Sequence, residues 1–288
     1  KSLRGSWRES VEALDRAEQI LRERCPGAGW ERGSARSFSV WSLWFLGDMG
    51  ELSRRILTYL RDAEEQGDRY LATNLRTAQA NAFWLLRGDP DAALREADAA
   101  IQGWSKAGFH LQHYFDLLAR AHIHLYRGDG EAALQLFTER WPALERSLTL
   151  RIQFVRLYMT FVRGGAALAA ARTASAPGPR LADAIRAASR IEGEHMPWAT
   201  PLASLLRAGA ASIRGEAAEA IALLEQAAEG LDAADMTLYA AAARRCAGSL
   251  IGGDEGAAAV AQITQWMRQQ GVADPDRLTA MLAPGFTG

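Results

Sequence analysis

The chain has 288 residues, 49% of them hydrophobic and 23% charged, which is enough apolar material for a large core and too much for a disordered linker. Its 33 basic and 34 acidic side chains leave a formal net charge of −1, so nothing global attracts nucleic acid or an anionic membrane. The longest apolar stretch, Phe38 to Gly47, falls well short of the roughly 20 residues a membrane helix needs. With no apolar secretory core at the N-terminus, the expectation is a soluble, cytoplasmic chain. Cys25 and Cys246 stand far apart with no paired spacing, which argues against a disulfide framework or a zinc knuckle. The first residue is Lys1 rather than Met, compatible with an excised segment of a longer protein, a processed chain or an ordered part.

Alanine-rich segments with few β-branched runs favour helix throughout. Helices are expected near 8–24, 35–47, 50–66, 69–87, 90–107, 110–127, 130–146 and 148–173, then near 180–194, 199–214, 216–231, 235–251, 255–270 and 275–282. A short phrase punctuates them: Gly47-Asp48, Gly88-Asp89, Gly128-Asp129, Gly215-Glu216 and Gly253-Asp254, each followed by small or aliphatic residues. Glycine ends one helix in a left-handed conformation, and the acidic residue caps the next. The phrase returns at about forty residues, with one interval of about twice that, and a fixed period of this length marks stacked helix pairs. In 110–127, Leu111, Tyr114, Phe115, Leu118, Ala121 and Leu125 fall at helical steps, and Leu117, Ile123 and Tyr126 widen that face. Ala93, Ala133, Ala220 and Ala258 sit where paired helices would cross most closely, a place held by Leu52 in the first copy.

Ser175-Ala176-Pro177-Gly178-Pro179 is a breaker cluster, and Met196-Pro197-Trp198 is a second break. Both read as loops of one continuous array over 1–288, irregular near 174–198, with a two-lobed array bending there as the alternative. The fold class expected is all-α: a right-handed superhelical solenoid of antiparallel helix pairs. Each repeat of such an array contacts only its neighbours, and the whole presents an extended surface.

These offsets resemble the tetratricopeptide repeat in a longer-helix variety. Gly88, Asp89, Ala93 and Ala100 match its Gly, Asp and two small positions, and Gly215, Ala220 and Ala227 match similarly. Arg140 and Gln265 stand where the second small residue belongs, so those copies are degenerate. Four further stretches, Gly67 to Leu75, Gly108 to Arg120, Arg140 to Gln153 and Asp274 to Phe286, look like the C-terminal region of large bacterial serine/threonine protein kinases. In those proteins a kinase domain and an ATPase module precede a tetratricopeptide array. The resemblance implies a sensor or scaffold segment of a signalling protein.

The sequence contains no kinase Gly-rich loop, H-R-D or D-F-G, no phosphate loop, no G-x-S-x-G and no H-E-x-x-H. Gly27 to Gly33 has the wrong spacing for a nucleotide loop and reads as a connection. No catalytic residue, cofactor or metal is therefore expected. The histidines form the one chemical cluster: His110, His113 and Asp116 at three-residue steps could offer two nitrogens and an oxygen to zinc, with His122 and His124 further along. Hydrogen bonding within the stack is the simpler reading.

Matching to the family's groove positions assigns Phe38, Trp41, Trp44 and Phe45, then Leu75, Gln79, Ala82 and Leu86, then Phe115, Ala119 and His122, to a concave side. Asn74, Arg76, Asn81, Arg120, Arg151 and Arg156 add polar groups on the same helices, and arginine suits carboxylate or phosphate recognition. The expected partner groove is Phe38, Trp41, Trp44, Asn74, Gln79, Asn81, Phe115 and His122. It would hold a protein or peptide, or the kinase or ATPase domains of the same chain, but no nucleic acid and no membrane. Longer helices closing the array and burying these residues as core is the competing reading. A small-ligand or metal receptor centred on the His110–His124 helix, or an oligomerisation scaffold, are the alternatives to partner binding.

Overall fold

The computed structural model describes residues 1–105 and 107–286. Among them are fifteen α-helices and no strand: α1 Trp7–Arg24, α2 Gly29–Leu46, α3 Met49–Gln66, α4 Arg69–Arg76, α5 Ala82–Leu86, α6 Pro90–Gln102, α7 Leu111–Tyr126 and α8 Gly130–Arg146. They continue with α9 Gln153–Thr173, α10 Gly178–Glu192, α11 Thr200–Ile213, α12 Ala217–Ala233, α13 Thr237–Ile251, α14 Gly253–Gln269 and α15 Pro275–Leu282. The fold is all-helical, and most consecutive helices pack on one another. No helix among the described residues is long and apolar enough to cross a membrane.

The repeated phrase works as its chemistry requires at the first three sites. Gly47 closes α2 at φ 78°, its N–H and that of Asp48 returning to Leu43, and the Asp48 carboxylate takes the N–H of Glu51 at 3.1 Å. Asp89 and Asp129 cap α6 and α8 in the same way, at 2.8 and 3.0 Å. Glu216 makes no such side-chain cap, because its longer arm swings to Arg214, and Gly253 already lies within α14. Ala93, Ala133 and Ala220 are fully buried, as close helix crossings demand, but Ala258 is exposed and the close approach in that pair is made by Gly256 against Gly248.

Two boundaries differ from expectation. Helix α2 starts at Gly29 rather than 35, so most of Gly27–Gly33 is helical and not a connection. The helix expected over 69–87 is broken after Arg76: Thr77 is extended, Ala78 adopts φ 52°, and a 3-10 turn over Ala78–Asn81 leads into α5. Asn81 explains how the break survives, since its amide donates to the carbonyls of Arg76 at 2.9 Å and Ala93 at 2.8 Å, tying α4 to α6. In the 174–198 region the loops are short, because α10 begins at Gly178 with Pro179 in its first turn, where a missing N–H costs nothing.

The chain also folds back on itself. Helix α13 reaches α2, and α15 reaches α7. A Cβ on Gly47 would come within 3.0 Å of the backbone nitrogen of Leu238, and the N–H of Ala273 bonds the carbonyl of Leu86 at 2.8 Å. Trp7 stacks on Phe45 at 4.2 Å and meets Trp198 edge-on at 5.9 Å, so the first helix is covered by residues almost two hundred positions later.

Close backbone approach yields a test. A methyl group at Gly130 would overlap the backbone of Ala169 and Ala170, whereas at Gly50 it meets nothing within 4 Å. Gly130→Ala should lower unfolding stability by about 1–3 kcal/mol, and Gly50→Ala should leave it unchanged or raise it by under about 1 kcal/mol, measured by urea denaturation.

Candidate functional site

The expected groove residues lie inside the protein. Trp44, Asn74, Asn81 and Gln79 are at most 2% exposed, Phe115 and His122 are buried almost as deeply, Trp41 sits at the edge of the core, and Phe38 is half-buried. Phe38 packs edge-on against Trp41 at 4.9 Å, and Trp41 against Phe115 at 4.8 Å. Trp44 leans on His122, whose Nε2 lies 3.3 Å from the hydroxyl of Tyr158, and that hydroxyl lies 2.7 Å from Tyr239. Helices α9 and α13 thus fill the space in which a partner would have lain. This corrects the open groove to a core, for a plain reason: aromatic rings on α2 and α7 find aromatic rings on α9 and α13. Asn74 is directed to Ser37, and Asn81 serves the helix break, so the polar set does not converge on a ligand.

The histidines part company too. His113 accepts the backbone N–H of His110 at 2.8 Å, and the His110 ring lies 2.9 Å from the carbonyl of Ala107, so the pair caps the start of α7. Nine residues separate His113 from His122, which at 3.6 residues per turn puts them on opposite sides of the helix. Among the described residues no cluster of three His, Cys, Asp or Glu side chains is placed to hold a metal.

An open cleft does exist beside α7, on the His113 side. Three helices each bring one stripe to it: Asp98, Ile101 and Gln102 from α6, His113, Asp116 and Arg120 from α7, and Arg140, Ala143 and Arg146 from α8, with Ser147 just past its end. Trp104, Gly108 and Phe109 from the connection between α6 and α7 complete the wall around a space of about 1050 Å³. That lies at the upper end of the roughly 300–1,000 Å³ of most small-molecule pockets, and the open form also has room for a segment of chain.

The electrostatics of the cleft are asymmetric. Asp116 is buried, and desolvation raises its carboxyl above the usual range even though Arg120 and Arg140 pull the other way. Arg120 holds it at 2.8 Å and also grips Asp98 at 2.6 Å, so one guanidinium is shared between the two carboxyl groups and its donors are spent on them. His113 is pushed below its ordinary value by burial and then by His110 and Arg140, which places the field of Arg140 in the cleft. Arg140 and Arg146 form no ion pair among the described residues.

No family model matches the chain, and no curated protein or solved structure matches it. The cleft therefore stands on its own chemistry.

Sequence reasoning singled out His113 and Arg120 but passed over Trp104, Phe109 and Arg146. One signal was available: Arg140 occupies the position where the repeat pattern wants a small residue. A long cation in that place is exposed and lines the cleft instead of filling a close helix crossing.

Two outcomes follow from burial. Trp44→Ala should destabilise the fold by about 3–5 kcal/mol in denaturant titrations, as a core residue does and a groove residue does not. His122 is fully enclosed and burial pushes its imidazole down to about 4 from the ordinary 6.5. The unfolded chain takes up that proton first on acidification, so stability is complete above about pH 6.5 and falls as pH drops towards 4, by about 3 kcal/mol in total. Urea midpoints across this range should decline less steeply in His122→Gln than in the parent protein.

Proposed function

We propose that this chain is a non-catalytic recognition array, a solenoid of antiparallel helix pairs of the tetratricopeptide kind, whose α6–α7–α8 cleft binds an acidic segment of a partner protein. The reading rests above all on one observation: two arginines without carboxylate partners, Arg140 and Arg146, line the same open cleft as the half-buried rings of Trp104 and Phe109. Arginine and aromatic side chains together are what protein recognition sites concentrate, the rings supplying apolar contact and the forks supplying charge-assisted hydrogen bonds. The occupant this favours is a peptide carrying Asp or Glu next to an aromatic or aliphatic residue. The likeness to kinase C-terminal regions makes a signalling protein the natural source, either a separate partner or the catalytic part of a longer chain.

The test is a calorimetric titration with a short Asp/Glu-rich peptide containing one Trp or Leu. Binding should weaken at least roughly tenfold in Arg140→Glu/Arg146→Glu, weaken with added salt, and persist in Arg24→Glu, which changes charge elsewhere. Equal affinity in the double variant, or binding indifferent to salt, would sink the proposal.

A further inference from the structure

Among the described residues, the arginines that are not exposed are ion-paired, with one exception. Arg36 is tied to Glu18 and Asp62, Arg55 to Glu51 and Asp15, Arg156 to Glu194, Arg207 to Glu192 and Arg245 to Asp276. Arg32, Arg76, Arg120 and Arg180 are likewise ion-paired. Among the described residues, Arg163 is the arginine that is at least half-buried yet has no carboxylate within ion-pair reach. Burial lowers its pKa from the ordinary arginine range, with Asp183 and Glu145 opposing that shift and Arg190 adding to it. A partly buried guanidinium with no carboxylate in direct contact keeps its donors available to an anion.

The surroundings are shaped for one. Arg163 lies with its guanidinium 4.5 Å from the centre of the Trp141 ring, which fixes the plane of its fork. Trp141 is itself held by its indole N–H, which donates to Glu145 at 2.7 Å. Across the cavity α10 brings Arg186 and Arg190 on the same face, with Asp183 one turn earlier. Asp183 is occupied by Arg186, and Thr160 spends its hydroxyl proton on the carbonyl of Arg156, so the free donors are the forks of Arg163 and Arg190. The space is partly open and about 270 Å³, which is below the usual range for a drug-sized ligand or a peptide segment.

We infer that the cavity between α8, α9 and α10 is a second binding site, separate from the α6–α7–α8 cleft, built for a compact phosphate-type oxyanion held between Arg163 and Arg190. A carboxylate fills a single guanidinium fork. Two forks approaching from different helices match an anion with three exposed oxygens and close to two negative charges. The two clefts lie on different faces of α8, since positions 140, 143 and 147 serve one and 134 and 141 the other.

The test is isothermal titration of the whole chain with inorganic phosphate and with O-phosphoserine, against chloride at matched ionic strength. Saturable one-site binding to at least one phosphate species is expected, weakened roughly tenfold or more in Arg163→Gln and in Arg190→Gln. Arg190 is exposed, so its variant keeps the test valid should Arg163→Gln fail to fold. Binding of O-phosphoserine alone still supports the site, with the phosphate carried on a larger molecule. The Arg140→Glu/Arg146→Glu variant should bind phosphate like the parent, which separates this site from the acidic-segment cleft. No saturation beyond chloride by either probe, or affinity unchanged by the arginine substitutions, overturns the inference.

Discussion

The structure depends on one knot of aromatic rings. Phe45 on α2 touches Trp7 from α1, Phe154 and Tyr158 from α9, and Tyr239 from α13, with centroids between 4.2 and 6.2 Å. Rings of this size bury large apolar areas and prefer the stacked and edge-on arrangements seen here. They also draw together helices that are distant in sequence, something that alanine-rich neighbour packing alone would not do. The Tyr158–Tyr239 hydrogen bond gives the knot a polar centre whose hydroxyls burial drives to a higher pKa, keeping both neutral at any physiological pH.

Once that interior is full, recognition has to move outwards. Both clefts share α8, which carries Arg140 where the repeat has a small residue and runs unbroken through Trp141 and Pro142. On one face α8 carries Arg140 and Arg146, and on another the Trp141 ring beneath Arg163. A wall shared by two charged cavities arises from a single degenerate stretch of sequence.

Much of the fold was legible because its signals are local. The Gly47-Asp48, Gly88-Asp89 and Gly128-Asp129 junctions follow from backbone stereochemistry and capping, and the helix over 111–126 was legible from its apolar spacing although it is buried around most of its circumference. The break at Thr77 was hidden because Asn81 stabilises it through Ala93, a contact made between helices. The groove misled for a related reason: Trp41, Trp44 and His122 carry the same signature whether they face a partner or face Tyr158 and Tyr239. Whether an aromatic stripe is open or filled depends on what returns to cover it, and that information resides some hundred residues away. The arginine cavity was invisible in sequence because the absence of a partner for Arg163 is a property of three helices at once.

The return of the last helices onto the first changes how the protein would come apart. In an open repeat array the terminal units fray independently, and stability is close to a sum of neighbour terms. Here the Ala273–Leu86 hydrogen bond, the Leu238 backbone against Gly47 and the Trp198 ring against Trp7 make each end part of the other's support. Removing either terminus strips a wall from the opposite one. Such a chain loses the modularity of its repeats and unravels as a single cooperative unit, with long-range contacts setting its unfolding barrier.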